Sequence, residues 1–208
     1  MKLFKTLYLL ISTPLFGCNS QPSINKDLHK PSINIESTKA KAKQALDFCK
    51  SKNYNSSFCI LIDMSLHSGV KRLMIWDFER DTITNSFLVA HGCGNTPWNE
   101  DNTKESPVFS NTDNSHCSSL GKYKIGERGY SQWGVNIKYV LHGLESSNSN
   151  AQRRAIVFHS WEAIPDNEVH PNGTPEGWGC PAVSNNCFRI IDPLIQSSNQ
   201  PVLMWIYQ

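Results

Sequence analysis

Ala155-Ile156-Val157-Phe158-His159-Ser160, followed by Gly177-Trp178-Gly179-Cys180-Pro181, is the stretch on which the reading of this chain turns. Four consecutive apolar residues ending in His-Ser predict a buried strand that delivers an imidazole at its end. The second segment places a thiol between glycines, in a backbone that bends tightly. A nucleophile in a close-approach bend, with a base supplied by a neighbouring strand, is the arrangement that thiol acyl transfer needs.

Moving outward, the chain carries further strand-like runs at 58–64, 72–77, 83–90, 137–141 and 202–207. Most are short and bounded by turn residues, and Glu79, Arg80 and Asp81 close a hairpin between the second and third. Two stretches have helical spacing instead: Ala42, Ala45, Leu46 and Cys49 from Ser37 onward, and Phe188, Ile191, Leu194 and Ile195 within 185–197. The expectation is a mainly β domain of the α+β class with a helix near each end. The connection over 95–119 is long, polar and aperiodic, a length usually reserved for functional loops, and is expected to cover the site.

With 208 residues and 39% hydrophobic content, the chain can bury one good core. Lys2 and Lys5 precede an apolar segment over 7–16, broken by Pro14 and ending in Leu15-Phe16-Gly17-Cys18. It falls short of the ~20 apolar residues a spanning helix needs and reads as a signal peptide over 1–17. Small Gly17 before Cys18, with Leu15 three positions before it, resembles a bacterial lipoprotein box, so Cys18 is expected to carry lipid. Residues 18–35, rich in Ser, Asn, Lys and Pro, fit a solvated tether to a domain over 36–208. Removing 1–17 takes two lysines from the 20 basic residues and none of the 18 acids, leaving a formally neutral chain with nothing to attract nucleic acid.

Five cysteines besides Cys18 and Cys180 need an account: Cys49, Cys59, Cys93, Cys117 and Cys187. In an oxidising compartment Cys49 with Cys59, and Cys93 with Cys117, are plausible bridges; buried free thiols are the equal alternative. His91, Cys93, His142, His159, His170 and Cys180 show no dense metal-binding spacing, and neither a metal nor a cofactor is expected. A free thiol of pKa about 8.5 is largely protonated at neutral pH, so an imidazole must take its proton or stabilise the thiolate. His159 precedes Cys180 by 21 positions. That order differs from papain-like peptidases, where the nucleophile comes first.

At this point the residues resemble the murein L,D-transpeptidase catalytic domain family, of the YkuD-like superfamily and its lipoprotein-like branch. The blocks that carry the resemblance lie at 58–64, 91–94, 118–126, 141–144 with 148–151, 159–160, 179–184 and 203–207. The chain departs from the superfamily pattern at Trp178, where a His usually stands, and at Pro181-Ala182-Val183-Ser184, where an Arg is usual. The resemblance implies a YkuD-like β-sandwich or open barrel of mixed sheets. It further implies a cysteine thioester on the diaminopimelyl residue of a peptidoglycan stem tetrapeptide, release of D-alanine, and a 3-3 cross-link to a second stem. Cys180 is then the nucleophile, His159 the general base and acid, and the carbonyl of Ser160 the group that orients the imidazole. Backbone N–H groups around Trp178, Gly179 and Cys180 form the oxyanion hole.

His142, Trp161 and Trp178 are candidate substrate contacts, with a structural histidine and packing tryptophans as the alternatives. Arg153 and Arg154 read as solvated charge, and His91 as a turn residue opening the long loop. The expected setting is a monomer in the bacterial envelope, held to a membrane by lipid, with peptidoglycan stem peptides as partners. The alternatives are an L,D-carboxypeptidase or a hydrolase of diaminopimelate linkages using the same thiol. A peptidoglycan-binding lipoprotein without catalysis, with Cys180 bridged to Cys187, is a third.

Overall fold

The computed structural model describes residues 30–208; the expected signal peptide, Cys18 and the expected tether up to residue 29 lie outside the described residues. The element order is α1 (Ile35–Lys52), β1 (Phe58–Asp63), β2 (Leu73–Asp77), β3 (Thr82–Phe87), β4 (Gly121–Tyr130), β5 (Ile137–Gly143), a short 3-10 turn (Ser146–Asn148), β6 (Val157–Ser160), β7 (Ala182–Val183), α2 (Asn185–Gln196) and β8 (Val202–Tyr207). The eight strands form one mixed sheet in the order β3-β2-β1-β8-β4-β5-β6-β7. Among these strand pairs, β1 with β8 and β6 with β7 run parallel and the others antiparallel. Beyond β3 the chain bonds back to the far edge, Ala90 N–H donating to Ala182 O and Cys93 N–H to Gly177 O, each at 2.8 Å. These contacts bring the sheet almost to closure as a barrel and remove most of its exposed edge.

Strand β1 shows why the sheet curls around two packed faces. Ile60 and Ile62 join Leu73, Tyr123, Phe158 and the Phe188, Ile191 and Ile195 side of α2 in the main core. Cys59 and Leu61, of opposite parity, meet Trp76, Leu203, Trp205 and the Ala42, Ala45 and Cys49 face of α1. A strand covered on both faces reads as a continuous apolar run, as this one does.

Helix α1 starts two residues before Ser37 because the Asn34 side chain caps it, accepting from Ser37 N–H at 3.1 Å. Helix α2 is capped by Ser184, whose hydroxyl accepts from Cys187 N–H at 3.2 Å. Two strands escaped the sequence reading. The longest, β4, interleaves Gly121, Gly126 and Gly129 with charged residues and is held by its pairing to β5 and β8. The two-residue β7 exists through its parallel pairing with β6.

Candidate active site

Register brings the thiol to the imidazole. His159 is paired with Ala182, and Ser160 with Val183, in the parallel β6-β7 ladder. Cys180, two residues before Ala182, therefore falls beside Val157, whose N–H donates to Sγ at 3.4 Å. Side chains two residues apart share a strand face, so His159 and Cys180 open onto one pocket, together with Trp98, Trp133, Trp161 and Trp178.

His159 is buried, and its Nδ1 lies 2.9 Å from Ser160 O. A carbonyl only accepts, so Nδ1 carries the proton and Nε2 keeps its lone pair. Burial holds the imidazole below its ordinary pKa, with the Ser160 carbonyl acting against that shift. Burial likewise pushes the Cys180 thiol up, opposed by the Val157 N–H. The resting pair is a neutral thiol beside a neutral imidazole. Ser160 also anchors the β4-β5 turn, its hydroxyl accepting from Val135 N–H at 2.9 Å.

The backbone before the thiol is shaped by Gly179, at φ +101°. A Cβ there would collide with the main-chain oxygen of Cys117, so only glycine fits. The N–H groups of Trp178, Gly179 and Cys180 have no acceptor among the described residues, while Gly179 O is taken by the Ser118 hydroxyl at 3.1 Å. These free donors can point at an oxyanion.

Behind this bend lies a buried polar network that sequence reasoning missed. Arg72, His91 and Glu176 are all fully buried. Arg72 Nη2 donates to His91 Nδ1 at 2.8 Å, so Nε2 carries the proton and donates to Thr103 Oγ1 at 2.8 Å. Burial, with Arg72 adding to it, takes His91 down to about 2, and burial takes Arg72 to about 9. Glu176 accepts from Thr103 N–H at 2.6 Å, and the main chain of Glu176 exchanges bonds with Asn99 and Glu100. The long loop is thus fastened to the residue just before Gly177. His91 is a core residue of this network and no turn residue, because Gly177 N–H donates to its carbonyl at 2.8 Å and draws it under the loop.

Other expectations fare differently. Trp161 and Trp178 line the pocket. His142 does not: strand alternation turns Tyr139 and Leu141 into the core and His142 away, where its Nε2 meets Glu127 Oε2 at 2.9 Å. Arg154 is no free surface charge, since it donates to Ser110 O, Ser119 Oγ, Ser115 Oγ and Cys117 O and so ties down the long loop. Arg153 pairs with Asp113 at the surface. The six described cysteines are all free and five are buried, so neither proposed bridge nor a Cys180-Cys187 pair is formed. Trp98 and Trp133, which also line the pocket, escape the sequence reading; tryptophans inside polar turns, at Pro97-Trp98-Asn99 and Gln132-Trp133-Gly134, are the available signal.

A buried imidazole fixed in one tautomer and a glycine-flanked thiol thus open onto one pocket at the rim of a nearly closed mixed sheet. The chain belongs to the L,D-transpeptidase catalytic domain family, YkuD_2, whose model matches residues 29–207. No curated protein matches the sequence. Among solved structures, the helical cell shape determining protein Pgp2 from Campylobacter jejuni is similar at 12% identity and TM-score 0.45, covering 73% of this chain and 48% of that one. An L,D-transpeptidase (residues 123–326) from Xylanimonas cellulosilytica is similar at 11% identity and TM-score 0.41, covering 77% and 68%. Bd1075 from Bdellovibrio bacteriovorus is similar at 15% identity and TM-score 0.41, covering 75% and 49%. The chain thus spans about half the length of Pgp2 and of Bd1075.

Proposed function

We propose that this protein is a peptidoglycan L,D-transpeptidase that forms 3-3 cross-links through a thioester on Cys180. The observation that carries the reading is the opening of Cys180 and tautomer-fixed His159 onto one pocket. It is supported by membership of a family whose members act on peptidoglycan stem peptides.

In this reading His159 Nε2 takes the thiol proton as Sγ attacks the carbonyl of the third, diaminopimelyl residue of a tetrapeptide stem. The developing oxyanion is held by N–H groups of the Trp178-Gly179-Cys180 bend, the Gly179 donor among them. Collapse breaks the amide bond, and His159 returns the proton to the leaving amine of D-alanine. An amine from a second stem then attacks the thioester, His159 takes its proton, and the thiol is restored with a new amide formed. Ser160 acts through its main-chain oxygen, by holding the imidazole. Trp161 and Trp178 wall the pocket.

The test is incubation of the full chain with purified disaccharide tetrapeptide, followed by separation of the products. A 3-3 dimer with free D-alanine is the expected result. Tripeptide with D-alanine and no dimer would replace the reading with an L,D-carboxypeptidase. The same proposal places the enzyme in the envelope on a lipid at Cys18, so Cys18→Ala should shift it from the membrane fraction to the soluble fraction.

A further inference from the structure

Four tryptophans from four separate segments meet around the thiol: Trp98 from the long loop, Trp133 from the β4-β5 turn, Trp161 after β6, and Trp178 in the thiol loop. Trp161 is 6% exposed, whereas Trp98, Trp133 and Trp178 remain 43%, 42% and 63% exposed. Large aromatic side chains left open together at the rim of a site mark a recognition surface.

The geometry of the rings restricts what they recognise. Trp98 stacks on Trp161 at 5.5 Å between centroids and 18° between planes, and Trp133 meets Trp161 edge-on at 6.0 Å. Trp133 and Trp178 each contact Trp98, at 6.2 and 6.4 Å. At these separations each ring fills the gap beside its neighbour, so the cluster is a continuous wall and no cage with room for a cation between opposed faces. Among the described residues, those lining the pocket include no carboxylate, ammonium or guanidinium group. Such a wall suits an uncharged ligand with a flat C–H face. The charged side chains Arg153, Arg154 and Asp113 line a separate pocket that shares only Trp178 with this one.

We infer that the Trp98-Trp133-Trp161-Trp178 wall binds the saccharide of the donor, an N-acetylated hexosamine carried on the same stem that acylates Cys180. The inference rests on the peptidoglycan reading above. A sugar three residues upstream of the attacked carbonyl lies on the order of 10 Å from the thiol when the stem is extended. Trp133 stands two ring contacts from Trp178, through Trp98, at 6.2 and 6.4 Å between centroids.

The experiment compares two donors, disaccharide tetrapeptide and the same tetrapeptide without sugars, on the full chain and on Trp98→Ala, Trp133→Ala and Trp133→Phe. The wild type should favour the sugar-bearing donor by about tenfold in kcat/KM, the effect of one well-packed contact aromatic, expressed in KM. The alanine variants should lose most of that preference and Trp133→Phe should keep most of it. Equal use of the two donors by the wild type, or equal loss on both donors in the alanine variants, would overturn the inference. A second measurement is independent of turnover and of variant folding at the wall: tryptophan fluorescence of Cys180→Ala titrated with the peptide-free disaccharide should change saturably. No change would overturn the saccharide wall. A saturable change in Cys180→Ala, together with a wild type that neither donor acylates, would uphold the wall while rejecting the transpeptidase reading.

Discussion

The main-chain N–H of Val157 donates to the sulfur of Cys180 across 3.4 Å. This single donor favours the thiolate but does not offset burial, which holds the thiol above its ordinary range. His159 is displaced the other way, chiefly by its own burial. The protons therefore rest on sulfur and on Nδ1, and the transfer to Nε2 accompanies attack. Acylation should rise with pH as the imidazole loses its extra proton, with an inflection below the ordinary value of about 6.5. It should be level through neutral pH. Alkylation of Cys180 by iodoacetamide should be slow at neutral pH and accelerate above about 8.5. Fast alkylation already at acid pH would reveal a resting thiolate-imidazolium pair and contradict this assignment.

Ser160 offers two atoms with separate jobs. Its main-chain oxygen fixes the imidazole, and its hydroxyl accepts from Val135 N–H at 2.9 Å. Ser160→Ala keeps the first and loses the second, at a cost of about 1 kcal/mol for the unmade bond. Melting should fall by about 2–4 °C, with kcat within about tenfold of wild type because the general base remains in place. A loss of kcat as large as that of His159→Gln would show the hydroxyl itself acting in the reaction.

Gly179 combines φ +101° with a main-chain oxygen where a Cβ would sit. Gly179→Ala must move the bend, taking an oxyanion donor with it, and acylation should fall by about 10²-fold or more. The readout is the single-turnover rate of thioester formation, alongside circular dichroism to confirm folding. A folded variant with an unchanged rate would remove this N–H from the oxyanion site.

Glu176 holds Thr103 N–H from a fully buried position one residue before Gly177. Glu176→Ala leaves that donor unpaired and should cost about 2 kcal/mol of stability. Glu176→Gln retains an acceptor oxygen and should recover most of the loss. The positioning role predicts that the alanine variant also loses kcat more than KM. Loss of stability with kcat intact would reduce Glu176 to a purely structural group.

Much of this was legible in the sequence for a physical reason. The runs of β1, β2 and β8 are apolar on both faces because helices cover both, and such runs stand out. His159, Cys180 and Gly179 announce themselves through residue type and through a bend that only glycine permits. What stayed hidden depends on pairing rather than pattern. Strand β4 carries charge and glycine around its inward residues Tyr123 and Ile125 and becomes a strand only beside β5 and β8. His142 looked like a site residue until strand parity turned it toward Glu127. Arg154 looked solvated, yet it bonds four acceptors in the long loop, and the strand-like run opened by Arg72 gave no sign that its guanidinium is buried against His91. The tryptophan wall is assembled from four distant segments, a proximity no local spacing encodes.

The most direct measurement is intact-protein mass spectrometry of the wild type, Cys180→Ala and His159→Gln after brief exposure to disaccharide tetrapeptide, quenched in acid. Loss of D-alanine with a disaccharide-tripeptide adduct on the wild type, no adduct on Cys180→Ala, and adduct formation slowed by about 10²-fold or more on His159→Gln is the predicted result. An adduct that persists in Cys180→Ala, or a wild type that stays unmodified while D-alanine is released, would contradict it.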